Sequence, residues 1–155
     1  MKKAFLLLAF FFVSLAQAEA APSITATGGW TSATIDASDL ISGAGSDIGD
    51  EESATNATVL KVTKCTGLNW RIDVKRVDNT WNSNIILYVQ RTSDGIGPGT
   101  VSGGTSYIPV DTTNTQFFSG SENNDQIAIQ YKLSSSVSVP PNTYKTTVSF
   151  TIVQQ

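Results

Sequence analysis

Few side chains in this 155-residue chain could do chemistry, since it contains one cysteine, Cys65, and no histidine. Without histidine the chain cannot use Ser-His-Asp or Cys-His catalysis, His-ligated zinc or haem, or a histidine pH switch. Cys65 has no partner for an intramolecular disulfide, and no histidine could activate it as a nucleophile. Two interpretations of Cys65 stay open, a buried free thiol and an intermolecular disulfide.

Paired carboxylates are the next candidates, because glycoside hydrolysis needs an acid together with a nucleophile or base. Asp73 is the one acid within a strong predicted strand, where its parity places it on the solvent face. The loop acids follow no motif, and they are Asp94, Asp111, Glu122 and Asp125. We therefore predict solvated surface charge, with no catalytic residue and no cofactor. A hydrolase using Asp73, Asp94 and Glu122 is a third-ranked hypothesis.

An acidic run, Asp47-Ile48-Gly49-Asp50-Glu51-Glu52, could offer oxygen ligands to calcium. Its spacing does not match the alternating acids, glycine and distal glutamate of an EF-hand loop. We interpret the run as a solvated linker and predict no metal site.

Aromatic rings are the remaining candidates, since exposed rings can stack on sugars. Trp70 has the parity of a core residue, whereas Trp30, Trp81 and Tyr88 could form a stacking surface. A non-catalytic extracellular carbohydrate-binding module is therefore the alternative function. Burial in the core or at an interface is the favoured interpretation of the tryptophans.

The elements that would position these groups follow a predicted secretory signal peptide, residues 1–18. Two lysines precede the apolar run 4–13 and the small-residue sequence Ala16-Gln17-Ala18, which predicts cleavage after Ala18, with Ala20 as second choice. The apolar run is too short to span a bilayer, so we expect a secreted chain without a membrane span. The formal net charge of −3 disfavours nucleic acid as a partner.

The body of the chain, residues 56–155, has the two-residue period of β-strands. Apolar and polar residues alternate through 68–75, 85–90, 127–133 and 144–152, and residues 56–65 form a weaker predicted strand. Predicted turns separate these runs at 77–80, 93–99, 102–104, 119–125 and 140–142. The pattern predicts one all-β domain, an antiparallel β-sandwich of seven to nine strands with Ig-like organisation.

Ahead of the body, residues 36–55 form a predicted acidic, flexible linker. Residues 19–35 contain an extended segment with Ile24, Ala26 and Trp30 on one face. This segment could complete its own sandwich as the first strand, or it could pair with the open edge of a neighbouring subunit. The second arrangement joins subunits head to tail into a filament without any catalytic residue.

The C-terminal segment 140–152 has the sequence Pro-Pro-Asn-Thr-Tyr-Lys-Thr-Thr-Val-Ser-Phe-Thr-Ile. It resembles the closing strand of bacterial pilin-type and spore-coat-U-type secreted β-sandwich subunits. That resemblance implies a pilin-like protein that binds a periplasmic chaperone through an edge groove. It also implies polymerisation with itself or related subunits into surface fibres by donor-strand exchange. Two features depart from the pattern. This chain has the single Cys65 where many such pilins carry a cysteine pair, and Gly28-Gly29 interrupts its donor-like segment.

We therefore predict a secreted structural or adhesive subunit that acts through protein–protein contacts, located in the periplasm, at the cell surface or in an extracellular fibre. The predicted donor face comprises Ile24, Ala26 and Trp30. The predicted groove edge, or chaperone-pairing strand, comprises Tyr144, Val148, Phe150 and Ile152.

Overall fold

A computed structural model describes residues 21–31, 37–42, 46–140 and 142–155. The predicted signal peptide lies outside the described residues. The fold is all-β, with two antiparallel sheets that form a sandwich, and this confirms the predicted all-β antiparallel sandwich. The described residues form ten strands, three of them only two residues long, where seven to nine were predicted. The strands are β1 (Ser23–Gly28), β2 (Glu51–Glu52), β3 (Thr58–Thr63), β4 (Asn69–Thr80), β5 (Ile85–Arg91), β6 (Val101–Ser102), β7 (Ile108–Pro109), β8 (Thr115–Ser121), β9 (Asn124–Ser135) and β10 (Lys145–Gln154). One 3-10 turn, Ala37–Asp39, precedes β2.

The first sheet has the order β1-β3-β9-β5-β7, and β2 pairs with the far end of β9. The second sheet has the order β10-β4-β8-β6. The N-terminal strand β1 therefore forms an edge of the first sheet, and the C-terminal strand β10 forms an edge of the second. Contacts between β1 and β10 bring the two edges together on one side of the sandwich.

Trp70 lies at the centre of the core between the sheets, fully buried. Its indole nitrogen donates a hydrogen bond of 2.8 Å to the carbonyl oxygen of Glu122, and its ring meets the ring of Phe118 edge on at 6.0 Å. A Cβ at position 120 would lie 2.5 Å from this indole, so only glycine fits opposite the tryptophan. Predicted core parity for Trp70 is thus confirmed.

Period-two patterning places the inward faces of β4, β5, β9 and β10 correctly, but it misses β8. Phe117 and Phe118 are adjacent and both buried, which no regular alternation produces. A register shift explains this, because Ile72 of β4 pairs with Phe118 whereas Asp73 pairs with Gln116. Phe117 is the extra residue of a β-bulge, and both rings reach the core.

Two predicted turns are wrong in extent. The predicted turn 77–80 is the end of β4, which stays extended because β10 pairs with it as far as Thr80. The predicted turn 119–125 shrinks to residues 122–123, since β8 continues through Ser121 and β9 begins at Asn124.

The predicted linker 36–55 also differs in its described part. Leu40 forms an antiparallel bridge with Ile48, and residues 51–52 form β2 on the edge of β9. Its C-terminal end is therefore part of the first sheet, because Asp50 and Ser53 make polar contacts with Lys132 and Tyr131 of β9.

Candidate functional site: the terminal strands and their anchor

The predicted donor segment pairs within its own chain as β1. Ile24 lies opposite Val62 and Ala26 lies opposite Leu60, so both face the core side of the sheet. Only Ile24 joins the hydrophobic cluster from this strand, and residues 25–28 are exposed. Ile24 and Ala26 therefore share one face of β1, as their parity predicted, but Ala26 is exposed and the strand buries little of this face.

Trp30 extends the attachment of β1 beyond the end of the strand. Its ring lies parallel to that of Tyr131 with a centroid separation of 6.4 Å and an interplanar angle of 3°. Beside it, the Gly29 amide donates a 2.8 Å hydrogen bond to the carbonyl of Ala57. The structure therefore brings Ile24 and Trp30 to the body as two separate points of contact, with exposed Ala26 between them.

β10 presents the second set of predicted residues. Val148, Phe150 and Ile152 are half-buried and pack against the core cluster, with the Phe150 ring centroid 6.4 Å from that of Phe117. Tyr144 lies outside the strand, and its hydroxyl donates a 2.6 Å hydrogen bond to the carbonyl of Pro140. Three of the four predicted groove residues therefore line one edge, and Tyr144 belongs to the preceding turn.

Cys65 lies fully buried just beyond the end of β3. Burial raises the pKa of its thiol above the ordinary value, and a hydrogen bond from the backbone of Ser23 partly offsets that rise. Its own amide donates to Oδ1 of Asn123 at 2.8 Å. The start of β1 thus lies against the one thiol of the protein.

An ion pair on the outer face of the first sheet fixes the chain at residue 50. Nζ of Lys132 lies 2.7 Å from Oδ2 of Asp50 and 4.8 and 5.1 Å from the ring centroids of Tyr88 and Tyr107. The hydrogen bond from Lys132 lowers the pKa of Asp50 and raises that of Lys132. Burial, followed by the carboxylate of Glu52, raises the pKa of Tyr107 to about 12.

Polar contacts continue the attachment through residue 53. The Ser53 amide donates to the Tyr131 carbonyl at 3.0 Å, and the Tyr131 amide donates to the Ser53 hydroxyl at 2.8 Å. Nε2 of Gln130 donates to the Ser53 carbonyl at 2.9 Å, while Gln90 donates to Gln130 at 2.8 Å. We call residues 50–53 with Lys132, Gln130 and Tyr131 the anchor. Sequence reasoning missed it, although Tyr88, Gln90, Gln130 and Lys132 all fall on the predicted polar faces.

Four of the five acids considered for catalysis are engaged by a neighbour, and the fifth, Asp111, is exposed. Asp73 accepts a 2.8 Å hydrogen bond from Arg71 and is only 7% exposed, so its predicted solvation is wrong although its parity is right. Glu122 accepts from the amide of Gly67, Asp94 pairs with Arg91, and Asp125 pairs with Lys61. No group of three metal-ligating side chains occurs among the described residues.

The aromatic residues considered for sugar stacking are each covered on one side. Tyr131 lies against Trp30, the guanidinium of Arg76 lies 5.3 Å from the Trp81 centroid, and Lys132 lies over Tyr88. Among the described residues, no ring–ring contact joins any two of Trp30, Trp81 and Tyr88.

Comparison with protein-family models, curated proteins and solved structures gave no match. In the described part of the chain, no helix is long and apolar enough to cross a membrane.

Proposed function

We propose that this protein is a structural or adhesive β-sandwich subunit that acts through protein–protein contacts and polymerises by exchanging β1 between copies. The observation that supports the proposal is how weakly β1 is held at the edge of its sheet. This strand is at the edge of its sheet, pairs with β3 alone over six residues, and inserts one side chain, Ile24, into the core.

The energetics favour a strand that can leave its seat. The half-buried Ile24 contributes about 1 kcal/mol of transfer free energy, the half-buried Trp30 against Tyr131 contributes an amount of the same order, and the exposed residues 25–28 add little. The departure of β1 uncovers the outer backbone edge of β3 and the apolar surface at Leu60 and Val62. An identical β1 from another copy restores the same hydrogen bonds and the same contacts, so exchange is nearly neutral once the connection allows it.

The anchor sets the boundary between the part that moves and the part that stays. The polar contacts of residues 50–53 tie the chain to β9, the central strand of the first sheet. Residues 31–49 connect Trp30 with the anchor, and a stretch of that length reaches roughly 60 Å when extended, which in this proposal requires the Leu40–Ile48 bridge to open. This is enough to place β1 on a neighbouring sandwich. The exchanging unit in this proposal is therefore residues 21–30, and the body begins at residue 50 rather than 56.

A strand lock tests the exchange. Thr27 and Val59 are directly opposed in the β1–β3 register, at a spacing that suits a disulfide. We would make Thr27→Cys with Val59→Cys in a Cys65→Ala background and measure mass by light scattering, oxidised and reduced. The reduced protein should form large species, and the oxidised protein should form nothing larger than a dimer, because β1 is bound to its own body.

The same molecule, oxidised and reduced, serves as its own control. Association that continues unchanged in the oxidised form would exclude exchange of β1. Monomers under both conditions would exclude polymerisation itself. Electron microscopy of the reduced sample then distinguishes filaments from closed rings.

A further inference from the structure

β10 is the longest edge strand in the described part of the sandwich, and its outer edge has no hydrogen-bonded partner strand, although β1 lies near it. β10 has ten residues and pairs only with β4. The other sheet edges are shorter: six residues in β1 and two each in β6 and β7, where β7 also contains Pro109. Long edge strands without proline, bulge or inward charge are sites where another strand adds. Residues 146–154 of β10 contain no charged residue and no proline.

Register with β4 shows which backbone groups of β10 are free. The Gln155 amide donates to the carbonyl of Asn69, so the pair 155 and 69 is hydrogen-bonded. Hydrogen-bonded pairs recur every second residue in an antiparallel ladder, so the odd residues 147–155 bond to β4. The amides and carbonyls of the even residues therefore point outward, at 146, 148, 150, 152 and 154.

The same even residues carry the side chains that face the core. Val148, Phe150 and Ile152 belong to the half-buried group that packs on the core cluster, so their outer sides border the free edge. A strand added here would extend both the hydrogen-bonded ladder and the apolar layer beneath it.

We propose that the occupant of this edge is β10 of a second copy, paired antiparallel about a two-fold axis through Phe150. This register sets Phe150 opposite Phe150, Val148 opposite Ile152 and Thr146 opposite Gln154. Every free backbone group then meets a free group of the partner, and each opposed pair exchanges two hydrogen bonds.

Charge and shape favour this self-pairing. The one charged residue of β10, Lys145, falls at the end of the paired region opposite position 155 of the other copy, so no like charges meet. The two-fold axis keeps both sandwiches on the same side of one continuous sheet, as in isologous dimers. The hydrogen bonds of this dimer use β10 and those of strand exchange use β3, but β1 contacts β10, so the test below separates the two modes of association.

Mixed cysteine cross-linking tests the register. Ser149 lies opposite Thr151 of the other copy in a non-hydrogen-bonded pair, where Cα atoms approach to about 4.5 Å. We would oxidise an equimolar mixture of the full chains carrying Ser149→Cys and Thr151→Cys, both in a Cys65→Ala background. Cross-linked heterodimer should form in the mixture and should be at least about fivefold less abundant with Thr147→Cys in place of Ser149→Cys, because 147 is then out of register.

An inward charge tests the interface itself. Val148→Lys should weaken dimerisation in sedimentation by about a hundredfold, because symmetry brings two buried lysines into one interface. Thr147→Lys is the matched control: it adds the same charge to the outer face of the same strand and should leave the dissociation constant within about twofold.

Monomeric protein without the 149–151 cross-link would overturn the proposal. A dimer that keeps its affinity in Val148→Lys would also overturn it. If association requires residues 21–30 and no 149–151 cross-link forms, the occupant is β1 of another copy, and self-pairing is wrong. Should Val148→Lys fail to fold, the cross-linking result with the folded cysteine variants decides.

Discussion

β1 and β10 are both terminal strands with apolar residues at alternate positions, yet the sandwich holds them very differently. β10 pairs along ten residues with β4 and lays three side chains on the core. β1 pairs along six residues with β3, and one side chain joins the core. The two strands even touch each other at the same side of the sandwich.

Alternation of apolar and polar residues therefore determines which face of a strand lies inward, but it does not determine how firmly the strand is held. The firmness comes from the length of the partner strand, twelve residues in β4 against six in β3, and from the size of the inward side chains. Val148, Phe150 and Ile152 bury far more apolar surface than Ile24 with Ala26 and Gly28. A strand held as loosely as β1 is the one suited to exchange.

Deleting each strand in turn should show the largest difference in stability between β10 and β1. Deleting residues 145–155 should abolish cooperative unfolding, because β4 loses its partner strand and the core cluster loses the side chains of β10 that pack against it. Deleting residues 1–28 should leave a cooperative transition. Thermal unfolding followed by near-ultraviolet circular dichroism measures both, and equal damage from the two deletions would refute the comparison.

Truncating one inward side chain of β10 should have the next largest effect. Phe150→Ala should lower the free energy of unfolding by about 2 kcal/mol, since the half-buried ring loses its apolar contacts with Phe117 and the core. Urea unfolding measures the loss. Thr151→Ala, on the exposed side of the same strand, is the control and should stay within about 0.5 kcal/mol of the parent.

The corresponding change in β1 should be smaller. Ile24→Ala should cost about 1 kcal/mol, because the side chain is half-buried and its seat lies at an edge. Ala26→Ser should be nearly silent in the same urea titration. A loss for Ile24→Ala as large as that for Phe150→Ala would show that β1 is as firmly held as β10.

The smallest expected effect concerns the anchor that separates β1 from the body. Asp50→Asn should cost about 0.5 kcal/mol at neutral pH, a value set by partial exposure of both partners. Because the pKa of Asp50 is lowered in the folded state, the pair stabilises above the unfolded carboxyl value of about 3.9 and loses this as pH falls through the folded value.

The basic limb of the profile has the opposite sign. The raised pKa of Lys132 means that its contribution is present below about 10.4 and is lost as pH rises through the folded value. The stability difference between parent and Asp50→Asn should therefore be flat from about pH 5 to 9 and shrink on both sides. A difference that stayed constant down to pH 2 would show that the ion pair does not act as described.

Much of the fold was predictable because most strands have one solvent-facing side and one buried side. The alternation in β5, β9 and β10 led directly to the observed inward residues. β8 was not predictable, since its bulge places Phe117 and Phe118 side by side in the core and a period of two cannot register that. Nor was the extension of β4 to Thr80, which depends on pairing with a strand far along the chain.

The candidate site was predictable in residue identity but not in geometry. Ile24, Trp30, Val148, Phe150 and Ile152 do converge on the core, as their parity indicated. The anchor was missed because its contacts join Asp50 and Ser53 to residues some eighty positions later. An acidic run with glycines is typical of a linker until the lysine that neutralises it can be located in space.

If β1 exchanges as proposed, the position of Cys65 allows that exchange to be timed. With its thiol buried against the backbone of Ser23, an alkylating reagent gains access through the opening that β1 leaves when it lifts. When closing is faster than alkylation, the slowing of the reaction relative to a free thiol gives the fraction of molecules that are open. A strand supplied by the same chain and one supplied by a neighbour protect the sulfur equally, whereas an empty seat leaves it reactive. Under the proposed head-to-tail assembly, the number of fast-reacting thiols in a sample equals the number of unfilled ends, and this number gives the mean count of subunits in each assembly.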